Sequence, residues 1–108
     1  MIPDPAPPYE VSIVGRAQMD IIDLLSRAKP LGLFAELEQV LFQVDEHLHQ
    51  RPREWGDPIR NFPAAQSVQY RGQVDPIIAY YSVHDRLPMV FLNWVTVPKG
   101  HPLARSGS

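Results

Sequence analysis

Residues 76–98 read PIIAYYSVHDRLPMVFLNWVTVP, and the fold turns on how this stretch is read. It holds two runs rich in β-branched and aromatic residues, 77–83 and 89–97, separated by a short polar segment. Such residues suit a pleated, packed surface. In the first run Ile77, Ala79, Tyr81 and Val83 point one way, and Ile78, Tyr80, Ser82 and His84 the other. In the second, Met89, Phe91, Asn93, Val95 and Val97 oppose Val90, Leu92, Trp94 and Thr96. Both faces are mostly apolar, which places these strands in the middle of a sheet and not at its rim. His84-Asp85-Arg86 closes the first run and Pro88 resets the chain before the second, so the pair is expected to form a hairpin.

Working back from the hairpin, residues 66–74 form a short strand carrying Val68 and Tyr70, with Gly72 as a bend or bulge. Residues 50–65 read as a loop rich in Pro, Gly and Arg, pinned to the core by Trp55 and Phe62. Over residues 33–49, Leu33, Phe34, Leu37, Val40, Leu41, Val44 and Leu48 recur at helical steps, with Glu36, Gln39, Gln43 and Glu46 opposite. Residues 16–28 place Ala17, Ile21, Leu24, Leu25 and Ala28 on one stripe, and Pro30 with Gly32 stop that helix. Residues 9–14 alternate as a half-buried strand. The expected domain is 9–101, preceded by a flexible Pro-rich arm over 1–8 and followed by a loose tail over 102–108. The element order is β-α-α-β-β-β. Helices and strands segregated in this way give an α+β domain, a helical hairpin packed on a mostly antiparallel four-stranded sheet.

With 108 residues the chain has the size of one domain that can bury a core without staples. It contains no cysteine, which excludes disulfides, thiolate metal sites and a thiol nucleophile. No apolar run approaches the roughly 20 residues that span a bilayer. The opening MIPDPAPPYE has neither a basic start nor an apolar core, so a cytoplasmic protein away from the membrane is expected. The net charge of −2 argues against indiscriminate nucleic-acid binding, yet residues 1–50 carry three bases against eight acids and residues 51–108 seven against four. That asymmetry could leave one anion-friendly face. There is no P-loop, dinucleotide fingerprint, calcium loop or G-x-S-x-G serine, so no cofactor is called for. His47 and His49 stand two apart on a helix, face apart, and suit the helix dipole better than a metal. Glu36, Glu38, Asp45 and Glu46 read as a solvated face before a partner site, and Phe91 and Trp94, which could stack on bases, read first as core.

Several local features accompany this order. Val14-Gly15-Arg16-Ala17 leads a strand directly into a helix, Gly32 precedes the second helix, and Leu48 is followed by Pro52 and Gly56-Asp57-Pro58. Tyr81-Ser82-Val83 runs into a turn containing Asp85 and then an apolar last strand. In these features and in its order and length, the segment 9–101 resembles the RelE/ParE-like toxins of bacterial toxin–antitoxin modules. The resemblance implies a toxin-like component with a cognate antitoxin as partner. Its ribosome-dependent members cleave messenger RNA with basic and acid–base residues on the concave face of the sheet, and its ParE-like members poison gyrase. The arginine that the family carries three residues before the strand tyrosine is an isoleucine here, Ile77 or Ile78.

Cleaving RNA without a metal takes a base for the 2′-hydroxyl, an acid for the leaving oxygen and a cation for the phosphate. Arg71, His84, Arg86, Lys99 and His101 are of the required types. The hairpin tip and the far end of the last strand are separated by roughly 25–30 Å, so all five cannot share a site. The catalytic candidates are Arg71, Lys99 and His101, joined by Tyr81 (or Tyr80) across the sheet, with Arg60 and Arg86 as RNA contacts. The alternative is a non-catalytic protein-binding module on the same scaffold, which would use the acidic helices and the Pro-rich arm as contact surfaces.

Overall fold

The structure, a computed structural model, describes residues 8–104. Strand β1 (Glu10–Ile13) leads through Val14 into helix α1 (Gly15–Ala28). A 3₁₀ turn, Lys29–Leu31, ends at Gly32, whose φ of 71° closes the connection to α2 (Phe34–Gln50). Pro52 opens the one-turn helix α3 (Pro52–Trp55), where its missing N–H costs nothing. Four strands follow: β2 (Asp57–Phe62), β3 (Ser67–Val74), β4 (Ile77–His84) and β5 (Met89–Thr96).

The five strands form one sheet in the order β1-β5-β4-β3-β2. Strand β1 runs parallel to β5, and every other pair is antiparallel. The hairpin of residues 76–98 is therefore β4 and β5, with β4 at the centre of the sheet. The helical hairpin packs on one face. Ile77, Ala79, Tyr81 and Val83 of β4, each at most 1% exposed, meet Ala17 and Leu24 of α1 and Leu37, Val44 and Leu48 of α2. Burying each of the larger aliphatic side chains stabilises the fold by roughly 1.5–3 kcal/mol. The opposite face of the sheet is left open.

The α+β class and the helical hairpin hold, and three expectations change. First, the sheet has five strands, not four. Asp57–Phe62 lies in what reads as a loop, because all six of its residues are exposed and neither burial nor alternation marks it. It is an edge strand made by its ladder to β3, and its bulge between Pro58 and Arg60 suits an edge. Phe62 lies on this exposed edge and not in the core, whereas Trp55 does pack against the core.

Second, the alternation in β5 breaks. Tyr81 pairs with Leu92 and Tyr80 with Trp94, so Asn93 is an extra residue. This bulge puts Val90, Leu92 and Val95 in the core and sends Trp94, together with Asn93, to the open face. Trp94 and Phe91 are accordingly half-buried on that face and are not core residues. Third, part of the expected loose tail is fixed. Leu103 is 1% exposed, and the Arg27 guanidinium donates to its carbonyl. The rest of the tail, 105–108, and arm residues 1–7 lie outside the described residues.

Candidate functional site

The bulge in β5 assembles a row of side chains across the open face. Register aligns Arg71 of β3 with Tyr80 of β4, and Tyr80 with Trp94 of β5. The Tyr80 and Trp94 rings stack at 4.4 Å between centroids, 17° from parallel. The Arg16 guanidinium lies 4.9 Å above the Trp94 ring, and the Arg71 Nε donates to the Tyr80 hydroxyl at 3.4 Å. The result is cation, indole, phenol, cation across two strand spacings, roughly 10 Å. Asp57 of β2 is the register partner of Arg71 on the next strand.

Each position has a local cause. Arg16 stands in the first turn of α1, where the helix dipole disfavours a cation. The face of Trp94 offsets that cost through a cation–π contact. Asp20, one turn further along α1, accepts a hydrogen bond at 3.2 Å from the backbone N–H of Val95, next to the bulge. Asn93 donates to the Ser82 hydroxyl at 2.8 Å on the same face. Arg16, Asp20, Tyr80, Trp94, Val95 and Thr96 surround a shallow hollow of about 530 Å³.

The sequence-derived candidates are dispersed. Arg71 is in the row. Arg60 is on the same face, paired with Gln69 and lying 5.9 Å over the Phe62 ring. Lys99 follows β5 and borders a hollow shared with Asp20, Asp23 and Arg27 of α1. His101 borders a different hollow, against Leu33 and Val40 at the start of α2, and its Nδ1 accepts from the Leu103 N–H at 3.1 Å. The hollow of Lys99 shares Asp20, Val95 and Thr96 with that of the row, whereas Arg71, Lys99 and His101 border no common hollow. Arg86 sits in the β4–β5 turn, beyond His84, which itself lies four residues or roughly 13 Å along β4 from Tyr80. There the His84 Nδ1 accepts from the Arg86 and Leu87 N–H groups, so that imidazole shapes the turn.

Tyr81 is a correction. It is 0% exposed on the helix side of the sheet. Its hydroxyl donates to the Pro52 carbonyl at 2.6 Å and accepts from the Gly56 N–H at 2.9 Å. Burial pushes its phenol well above the ordinary value, and the Gly56 N–H pulls it only part of the way back. A hydroxyl so enclosed and so occupied reaches no substrate. Sequence reasoning named Tyr81 first with Tyr80 as its alternative, weighed Trp94 as a base-stacking ring but preferred core, and did not single out Arg16. A cation in the first turn of a helix was the available signal for Arg16.

No family model and no curated protein matches the chain. Among solved structures it is similar to a chain of the toxin–antitoxin complex RelBE2 from Mycobacterium tuberculosis, with a TM-score of 0.63 and 21% identity. That likeness covers 89% of this chain and 98% of the other. The order of elements, the parallel β1–β5 pair, the helical hairpin on one face and this similarity together give the chain a RelE-like toxin fold.

Proposed function

We propose that the chain is the toxin-like component of a bacterial toxin–antitoxin pair and that it engages messenger RNA on the ribosome through the open face of the sheet. The observation that carries this reading is the Arg16–Trp94–Tyr80–Arg71 row. Two guanidinium groups bracketing a stacked aromatic pair suit the phosphates of an unpaired strand. Arg71 and Arg16 supply the charge that a crowded phosphate needs. In the cleavage this reading implies, the 2′-hydroxyl attacks the phosphorus and passes its proton to the Asp20 carboxylate in the same hollow. The Tyr80 hydroxyl, which accepts from Arg71, gives its proton to the departing 5′-oxygen, and a 2′,3′-cyclic phosphate forms. Its cognate antitoxin is the expected partner, and the cytoplasm the expected site of action. Among the described residues no helix is long and apolar enough to cross a membrane.

A second reading is a non-catalytic binding module on the same scaffold. It is favoured by the placement of the four histidines, at 47, 49, 84 and 101, none of which is in the row. Inducible expression in a bacterial host, scoring growth and messenger-RNA integrity, separates the two. Growth arrest with cleaved message is expected. Arg71→Ala and Tyr80→Phe should relieve it, and Lys99→Ala with His101→Ala should not. Arrest with intact message moves the target to a gyrase-type enzyme, and normal growth with folded protein leaves the binding module.

A further inference from the structure

The Trp94 ring is taken by Tyr80 and Arg16, so a base held near the row needs another surface. One is present two residues further along the strands, toward the β4–β5 turn. There the ladder aligns Arg60, Gln69, Ser82 and Phe91 in a second row on the open face, roughly 7 Å from the first. Gln69, Ser82 and Phe91 are half-buried. Asn93, the extra residue of the bulge, joins this row through its bond to Ser82. An amide carries two N–H groups and an acceptor oxygen. With one N–H given to Ser82, the Asn93 side chain keeps one N–H and its oxygen. Among the described residues the Gln69 amide has no hydrogen-bond partner and the Phe91 ring no ring partner.

We propose that the second row reads an adenine of the strand whose phosphates the first row holds, with Asn93 as the residue that pairs with the base and Gln69 as a second amide; this rests on the RNA reading above. Adenine sets its N7 acceptor beside its N6 amino donor, which matches the free N–H and oxygen of an amide. Guanine presents two acceptors there, N7 and O6, and these suit a guanidinium. Arg60, the cation of the second row, stands on β2, three strand spacings or roughly 14 Å from β5. Pyrimidines pair with an amide as well, but they cover less of the Phe91 ring than a purine does. Ser82 holds the Asn93 amide before the base arrives, so little rotamer freedom is lost on binding. The bulge that sends Trp94 to the open face thus also sets the reading group beside it.

The test uses the full chain and single-stranded uridine RNAs of about 12 nucleotides, either plain or carrying one central A, C or G. Filter binding should show the A-containing RNA held about fivefold or more tightly than the other three. Replacing that A by 7-deazaadenosine, which lacks the N7 acceptor, or by purine riboside, which lacks the N6 amino group, should each abolish the gain. Asn93→Ala should bring the four RNAs to within about twofold of one another, and Gln69→Ala should shrink the preference by less. Both variants should bind the plain RNA as the wild type does. Circular dichroism checks that they fold, and if Asn93→Ala does not, the two base analogues on the wild-type protein decide. Equal affinities, a preference for C or G, or a preference for A that 7-deazaadenosine or a folded Asn93→Ala retains overturns the proposal. The RNA reading then still stands, because plain RNA binds. If none of the four RNAs binds, both fall.

Discussion

Tyr80 and Tyr81 are adjacent in the chain and belong to two different aromatic stacks. Tyr81 stands in an inner stack of His47, Trp55, Tyr81 and Tyr70, whose rings follow one another at 4.9, 5.4 and 5.4 Å. Tyr80 stands in the outer row of Arg16, Trp94, Tyr80 and Arg71. The inner stack is closed. The Tyr81 hydroxyl is used on both sides by backbone, and Trp55 lies so close to Gly72 that a Cβ there would stand 2.6 Å from its ring. The outer row has donors to spare, since each guanidinium carries five N–H groups. Similar rings therefore serve packing on one side of β4 and stand beside free guanidinium donors on the open face on the other. The side of the strand decides which.

The largest test of this contrast is a pair of truncations. Tyr81→Ala removes a buried ring and leaves the Pro52 carbonyl and the Gly56 N–H without their partner, which should cost about 4 kcal/mol in urea unfolding. Tyr80→Ala, at a half-buried position on the open face, should cost about 1 kcal/mol or less. Equal losses would end the distinction between the stacks. Next in size is Gly72→Ala. Its methyl group would meet the Trp55 ring, and the ring is held on its other side by His47, so about 2 kcal/mol of destabilisation is expected by the same measurement.

Binding should divide in the opposite sense. Trp94→Ala should weaken single-stranded RNA binding by about 1–2 kcal/mol, roughly tenfold, with little change in unfolding. Arg71→Ala should reduce the slope of log affinity against log salt by about 0.7. Trp55→Ala should lower stability and leave RNA affinity where it was. Filter binding of a single-stranded RNA at several salt concentrations reads all three variants. An RNA affinity that follows Trp55 and ignores Trp94 would place the binding surface elsewhere.

Periodicity carried much of the fold. The helical steps from Leu33 to Leu48 and the apolar runs around Tyr81 and Leu92 were sufficient to identify the hairpins and the central strands. What escaped has one cause, which is that a ladder leaves no pattern when its residues are not alternately buried. Asp57–Phe62 pairs with β3 while wholly exposed, so it resembled a loop. The bulge at Asn93 adds one residue to β5, and every side-chain assignment beyond it shifts by a face. Trp94 was thus assigned to packing, and the site was sought at Tyr81. Arg71 was legible as a cation beside the central strands. Its distance from Lys99 and His101 depended on how the chain leaves β5, and no residue pattern records that.

The smallest effect is at alkaline pH, and it tests the enclosure of Tyr81 by chemistry alone. In the unfolded chain a tyrosine loses its proton near pH 10. Burial holds the Tyr81 phenol well above that value in the folded protein. Below about pH 10 both states keep the proton, and the contribution of this group is fully present. Above it the unfolded state releases its proton first, so stability should fall as pH rises toward the folded value. Tyr81→Phe cannot ionise. That variant should start from a lower stability, because it lacks the bonds to Pro52 and Gly56, and should then show a shallower alkaline decline. Urea midpoints between pH 8 and about pH 11 measure both proteins. If the wild-type and Tyr81→Phe curves run parallel, the inner phenol is in contact with water, and the closed stack that opposes the outer row is not closed.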